Sequence, residues 1–229
     1  STINYRANID ALKRAGVTDL LSVSACGSFR DHMAPCDFVL VDQFIDRTFA
    51  REKSFFDDGL VAHVSVAHPT CGELGELVLK AAEDIDIKFH KGGTYLAMEG
   101  PQFSTLAESK MYRSWGCDVI GMTNMPEAKL AREAEICYAT VAMVTDYDSW
   151  HPDHGEGDVT EIRKTLSSNS ENARNMISNI IPLLKEADSR HPCKQGCDHA
   201  LEFALLTDGN IDDNIKAKIS AIAGRVLSK

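Results

Sequence analysis

The stretch ICYATVAMVT, residues 136–145, decides the fold. It carries no charged side chain, it is rich in small and β-branched apolar residues, and DYD (146–148) follows it at once. A strand this continuously apolar is predicted to be central in its sheet and covered on both faces, as in parallel or mixed sheets flanked by helices. Upstream, Pro126 suits the first turn of a helix running to about Glu135, Val119–Gly121 reads as a brief strand, and Thr105 with Glu108 has capping-box spacing for a helix to Trp115. Further back come a strand over Lys88–Met98, a helix over Gly72–Ala82, and strands over Leu60–Ala67 and Phe38–Ile45. Another strand, Val17–Ala25, is broken by Cys26-Gly27-Ser28, and a helix from Tyr5 to Ala15 closes on Gly16. Downstream lie a polar, aromatic loop over Asp146–Gly157, a long helix from Asp158 to about Glu186, an irregular stretch over Ser189–Asp198 and two final helices. Strands alternating with helices predict an α/β fold, a single domain over residues 1–229 with a central mixed sheet.

The chain has 229 residues and a formal net charge of −10, which disfavours a nucleic-acid partner because phosphate backbones need a basic footprint. No apolar run approaches the roughly 18 residues of a spanning helix, so no membrane partner is expected. No secretory leader is visible, and cytoplasm is the expected compartment. Of seven cysteines, Cys26, Cys36, Cys71, Cys117 and Cys137 are expected to be small buried hydrophobes in a reducing compartment. Cys193 and Cys197 form a C-x3-C pair. With no second cluster in the sequence, a disulfide or two surface thiols are expected ahead of zinc, and no metal is assigned.

Ligands of open α/β sheets sit beyond the carboxyl ends of the strands. Four such ends carry suitable groups. Ser24-Ala25-Cys26-Gly27-Ser28 can offer backbone N–H groups and a hydroxyl to an anion, or be an ordinary turn. In Glu99–Ser104 (EGPQFS), Phe103 can stack on a planar ligand and Glu99 can accept sugar hydroxyls; otherwise Phe103 is core and Glu99 a surface ion-pair partner. Met122-Thr123 can pack on a sugar and donate to an oxyanion, or Met122 simply fills core. Asp146 and Asp148 end the most apolar strand. Burial and mutual repulsion should raise at least one of their pKa values, which suits a general acid; the competing reading is loop hydrogen bonding.

NYRANI (4–9), ACGS (25–28), DQFIDRT (42–48), EGPQFS (99–104), Met122-Thr123 with Pro126-Glu127, and TDYD (145–148) together resemble the 5′-methylthioadenosine phosphorylases, within the trimeric purine nucleoside phosphorylases. The resemblance covers about residues 4–185. It implies phosphate attack on C1′ of methylthioadenosine, releasing adenine and 5-methylthioribose 1-phosphate, with no cofactor because phosphate is itself the co-substrate. Position by position, it implies that Asp146 is the acid at N7 and that Asp148 accepts from the 6-amino group. Ser24, Ala25 and Thr123 would bind phosphate, Met122 would contact the ribose, Phe103 would stack near the base, and Ala25, Cys26 and Gly27 would line the substrate. Ser104 and Val159 align with specificity positions; apolar Val159 suits a methylthio group. His63 would reach the neighbouring subunit's site in a homotrimer. Relatives that take 6-oxopurines use Asn at the base, so Asp146 argues for a 6-amino purine. A phosphorylase of broader or 6-oxopurine preference, or a nucleoside-binding subunit without turnover, are the alternatives. The family has further sequence before the position of Ser1, so its first strands and glycine-rich phosphate turn are expected to be missing from this chain.

Overall fold

The computed structural model describes residues 2–57, 59–152, 159–187, 191–207 and 211–228, apart from the side chains of Val159 and Glu161. These residues form α1 (Tyr5–Arg14), β1 (Asp19–Ser28), β2 (Phe38–Val41), β3 (Gln43–Arg47), β4 (Leu60–Ala62), α2 (Gly72–Ala82), β5 (Phe89–Lys91), β6 (Thr94–Met98) and α3 (Leu106–Ser114). They continue with β7 (Val119–Gly121), α4 (Glu127–Glu133), β8 (Cys137–Tyr147), α5 (Val159–Glu186), β9 (Leu205–Thr207), α6 (Asp213–Lys218) and α7 (Ser220–Leu227). The seven-stranded sheet has the order β3-β6-β7-β1-β8-β2-β5 and is mixed: β1 runs parallel to β8, β2 antiparallel to it.

The expected central strand is β8, and Cys137 through Thr145 are all buried. Successive β8 residues face opposite layers. Tyr138, Ala142 and Val144 join the cluster of Ile9 (α1), Leu130 (α4) and Ile222 (α7). Cys137, Val141 and Met143 join that of Leu74 and Val78 (α2) and Met176 and Ile180 (α5). Both faces are covered, so an unbroken apolar run costs nothing in exposure.

Two expected strands, Phe38–Ile45 and Lys88–Met98, are each two strands, and both break at one corner. The Asp42 carboxylate accepts from the Gly93 N–H (3.1 Å), and the Asp42 N–H donates to the Gly93 carbonyl (3.2 Å). Gly92 has φ +83, where a Cβ would also lie 3.0 Å from Asp42 Oδ2, so glycine fits and other residues strain. β2 and β3 lie near opposite ends of the strand order, yet Asp42 alone separates them. One residue reaches only a few ångströms, so the sheet curls until its two edges meet at this corner.

Three other expectations change. Leu60–Ala67 is a strand only over Leu60–Ala62, which pairs with the unforeseen β9 in a separate two-stranded sheet. Cys26-Gly27-Ser28 does not end β1; the strand continues to Ser28 through a register shift between Cys26 and Gly27. The loop expected from Asp146 starts later, because β8 continues to Tyr147.

Candidate active site

Cys26 pairs with Val144 and Gly27 with Asp146, so β8 carries one extra residue, Thr145, at the point of the shift. The Thr145 hydroxyl donates to the Cys26 carbonyl (3.1 Å) and to Asp146 Oδ1 (2.6 Å). A bulge of this kind changes which way the following side chains point. Asp146 and Asp148 line a cavity of about 410 Å³ together with Ser24, Ala25, Cys26, Gly27, Phe103, Met122 and Thr123. Gly27 leaves the packing tight there: a Cβ would lie 3.4 Å from Asp146 Oδ2 and from Asp148 Cβ, and 3.2 Å from the Ile120 side chain, which would have to shift slightly.

Burial pushes the Asp146 carboxyl above its ordinary range; the Thr145 hydroxyl opposes that shift and the charge of Asp148 adds to it. Asp148 is buried, and the Ser104 hydroxyl lies 2.8 Å from both its carboxylate oxygens. Ser149 Oγ donates to the Ser104 carbonyl (3.0 Å), which ties the segment carrying Phe103 to the segment after β8. Phe103 is 58% exposed, so it is not core; its ring is free to cover a planar ligand. Met122 is half-buried against Gly100 rather than filling core.

At the β1–β7 side, the Ser24 and Thr123 hydroxyls each donate to Asn124 Oδ1 (3.0 Å). Asn124 is fully buried at φ +69, and its amide nitrogen donates to Tyr138 Oη (2.8 Å) and to Thr140 Oγ1. Tyr138 in turn donates to Glu127 Oε1 (2.7 Å). This buried chain fixes both hydroxyls. Ala25 between them is exposed to the cavity, as alternation along β1 requires.

The other residues singled out in the sequence fall as follows. Glu99 is not open to a sugar: Oε2 accepts from the Phe49 and Ala50 N–H groups (2.7 and 3.1 Å) and Oε1 from Arg51 Nε (3.1 Å). The carboxylate anchors a loop instead, drawn there by backbone donors that sequence spacing does not reveal. His63 is exposed past the end of β4, with its N–H on the Ala204 carbonyl (2.9 Å), and it does not line this cavity. Val159 opens α5, but its side chain lies outside the described residues; Ile162 of the same helix does line the cavity. Cys36 is exposed, at φ +79, and is not core. Cys193 and Cys197 are not surface thiols: both are buried. From the sequence, Asn124 belongs to a candidate strand end, Met122-Thr123-Asn124, but carries no assigned role; Ile162, which lines the cavity, and Tyr95, whose hydroxyl lies 3.4 Å from Thr123 Oγ1, were missed. Asn124 had a usable signal, a polar residue able to take the left-handed region three residues past the end of a short strand.

A cavity at the carboxyl end of the central strand, with a carboxyl whose pKa burial raises, a second buried carboxylate as acceptor and paired hydroxyls, can bind a polar heterocycle and an anion side by side. Residues 1–182 match the phosphorylase superfamily. The S-methyl-5′-thioadenosine phosphorylase of Cereibacter sphaeroides is 65% identical over 228 residues, covering 99% of this chain and 78% of that protein. The chain belongs to the methylthioadenosine phosphorylases of the phosphorylase superfamily. The methylthioadenosine phosphorylase of Rhodospirillum rubrum is 58% identical over 228 residues, covering 99% of this chain and 77% of its own. A methylthioadenosine phosphorylase crystal structure from an antarctic soil metagenomic library superposes with a TM-score of 0.88 at 44% identity, covering 97% of this chain and 77% of the other. The Schistosoma mansoni methylthioadenosine phosphorylase in complex with adenine gives 0.77 at 28% identity, covering 98% and 77%. The mixed sheet with flanking helices is thus the fold of the methylthioadenosine phosphorylases. No helix among the described residues is long and apolar enough to cross a membrane.

Proposed function

We propose that this chain cleaves S-methyl-5′-thioadenosine with inorganic phosphate, giving adenine and 5-methylthioribose 1-phosphate. The observation that carries the reading is one cavity holding a carboxyl whose pKa is raised, Asp146, two residues from a buried carboxylate, Asp148, with the Ser24 and Thr123 hydroxyls beside them. The 65%-identical relative, a methylthioadenosine phosphorylase by name, supports the substrate.

In the proposed step a phosphate oxygen forms a bond to C1′ as the C1′–N9 bond breaks, and the electron pair leaves with the purine. Asp146 gives its proton toward N7, so the base departs neutral. Asp148 accepts from the 6-amino group, held by Ser104. A 6-oxo group there would set two acceptors against each other, which disfavours the 6-oxopurine reading. Ser24 and Thr123, turning their hydroxyl protons from Asn124 Oδ1 to the anion, hold phosphate together with the backbone at Ala25; Met122 packs on the ribose and Phe103 on the base; Cys26 and Gly27 form the wall between β1 and β8. Apolar Val159 suits the methylthio end. Phosphate is already a competent nucleophile, so this chemistry calls for no catalytic metal or organic cofactor, and the reaction would serve purine and methionine salvage in the cytoplasm. The homotrimer implied by the resemblance has support in the β4–β9 sheet near His63, where Val61 pairs with Leu206 and both are exposed apolar residues.

The test is adenine release from methylthioadenosine with and without phosphate, on a full-length sample whose mass has been checked, beside inosine as the 6-oxo control. Phosphate-dependent release that prefers methylthioadenosine is the expected result. Nucleoside binding in equilibrium dialysis without turnover would instead make the chain a binding subunit.

A further inference from the structure

Away from the cavity, four cysteine sulfurs from three separate segments converge. The Sγ atoms of Cys71, Cys137, Cys193 and Cys197 all lie within 4.8 Å of one another. Cys71 is the N-cap of α2, Cys137 is the first residue of β8, and Cys193 and Cys197 belong to the segment after α5. All four are at most 5% exposed. The Cys71 and Cys193 sulfurs are 3.8 Å apart. Sulfurs about 2.3 Å from a central Zn²⁺ in a tetrahedron are about 3.8 Å from each other, so this separation is that of ligands around one ion.

We propose that Cys71, Cys137, Cys193 and Cys197 form a closed, structural tetrathiolate site for Zn²⁺. C-x3-C lies within the usual spacing of paired zinc ligands, and the second pair, which the sequence did not reveal, comes from residues 71 and 137. Four thiolates around Zn²⁺ leave a net charge of −2, which must be offset by donors. Cys71 stands at the N-cap of α2, where the positive end of the helix supplies part of that offset. The loop that carries the C-x3-C pair is fixed from outside. Asp198 Oδ2 accepts from the Cys193 N–H (2.9 Å) and contacts His191 Nδ1 (3.2 Å), while His191 Nε2 contacts Asp19 Oδ2 (3.0 Å).

The site stands apart from the chemistry. Cys137 and Asp146 are at opposite ends of β8, roughly 30 Å apart along an extended strand. None of the four cysteines lines the cavity that holds Asp146. With four protein ligands and no open position, the ion would bind no substrate; it would tie the start of α2 and the segment after α5 to the central strand.

The test is metal content by plasma mass spectrometry on protein dialysed against EDTA, followed by Co²⁺ titration of protein stripped of metal. About one Zn²⁺ per chain is expected. Co²⁺ should give the intense sulfur-to-metal charge-transfer and tetrahedral ligand-field bands of a tetrathiolate site. Cys193→Ser and Cys137→Ser should each lower retained zinc at least tenfold. Should those variants fail to fold, the Co²⁺ spectrum of the unaltered protein decides alone. Absence of both bound zinc and the Co²⁺ bands overturns the proposal. So does a disulfide among the four cysteines, found by non-reducing peptide mass spectrometry on protein alkylated at lysis.

Discussion

Asp146 titrates above its ordinary value of 3.8 because burial disfavours its charge. The folded state therefore binds this proton more tightly than the unfolded chain does. That contribution to stability is complete below the unfolded value and is lost as pH rises through the folded one, so Asp146 burdens the fold increasingly as pH rises above its unfolded value. Asp146→Asn should raise Tm at pH 7 while lowering kcat by about 10²- to 10⁴-fold, the usual worth of a positioned general acid. Thermal melts and kcat on the same sample check both signs; a lower Tm would refute burial as the cause. For the unaltered protein, kcat/KM should fall as pH rises past the raised value. Ser104→Ala removes a hydroxyl donor from a buried carboxylate, a loss of about 1–3 kcal/mol, or roughly 5- to 150-fold. The loss should appear in KM for methylthioadenosine more than in kcat, because Asp148 only accepts from the base and takes no part in the proton transfer made by Asp146.

At the scale of elements, β7 shows how a three-residue strand can hold a site in place. A Cβ at Gly121 would meet Tyr95 Oη at 1.9 Å, and Tyr95 is fully buried with its hydroxyl 3.4 Å from Thr123 Oγ1. Gly121→Ala should therefore displace a ring packed from below and cost about 1–3 kcal/mol in urea unfolding. It should also weaken phosphate binding through Thr123; a change in stability with phosphate KM unmoved would separate the two. The same scale shows what the sequence made legible. Gly72–Ala82, Val119–Gly121 and the strand at β8 were readable because period and punctuation are local properties of the chain. Asp146, Asp148, Ser24 and Thr123 were readable as a site because strand ends are where such sheets bind ligands, and the motif resemblance gave them roles. The corner at Asp42 and Gly92-Gly93 was not legible, since each half of it looks like an uninterrupted strand until the other half arrives to bond it. The partners of Glu99 were not legible for a like reason: beside Arg51, its donors are backbone N–H groups of residues 49 and 50, which carry no signature. The DQFIDRT motif also serves the frame. Asp46 accepts from Thr48, Lys53 and Lys129, and although burial opposes it, these donors hold its carboxyl at about 2.

For the whole molecule, a proposed trimer that shares its sites predicts rescue between two defective proteins. His63→Ala and Asp146→Asn chains, co-refolded, should recover activity that neither has alone, because some mixed sites would hold both native residues. No recovery would mean that His63 acts, if at all, within its own subunit. β8 adds a different kind of constraint. It begins at one of the four clustered thiols and runs to Asp146, with its side chains alternating between two packed layers as far as Val144. Losing or gaining one residue anywhere between would rotate everything beyond it onto the wrong layer. The interval from 137 to 146 therefore works as a ruler with fixed divisions. Over evolutionary time, residue types along it can drift within their volumes, but its length should stay constant while the loops on either side grow and shrink.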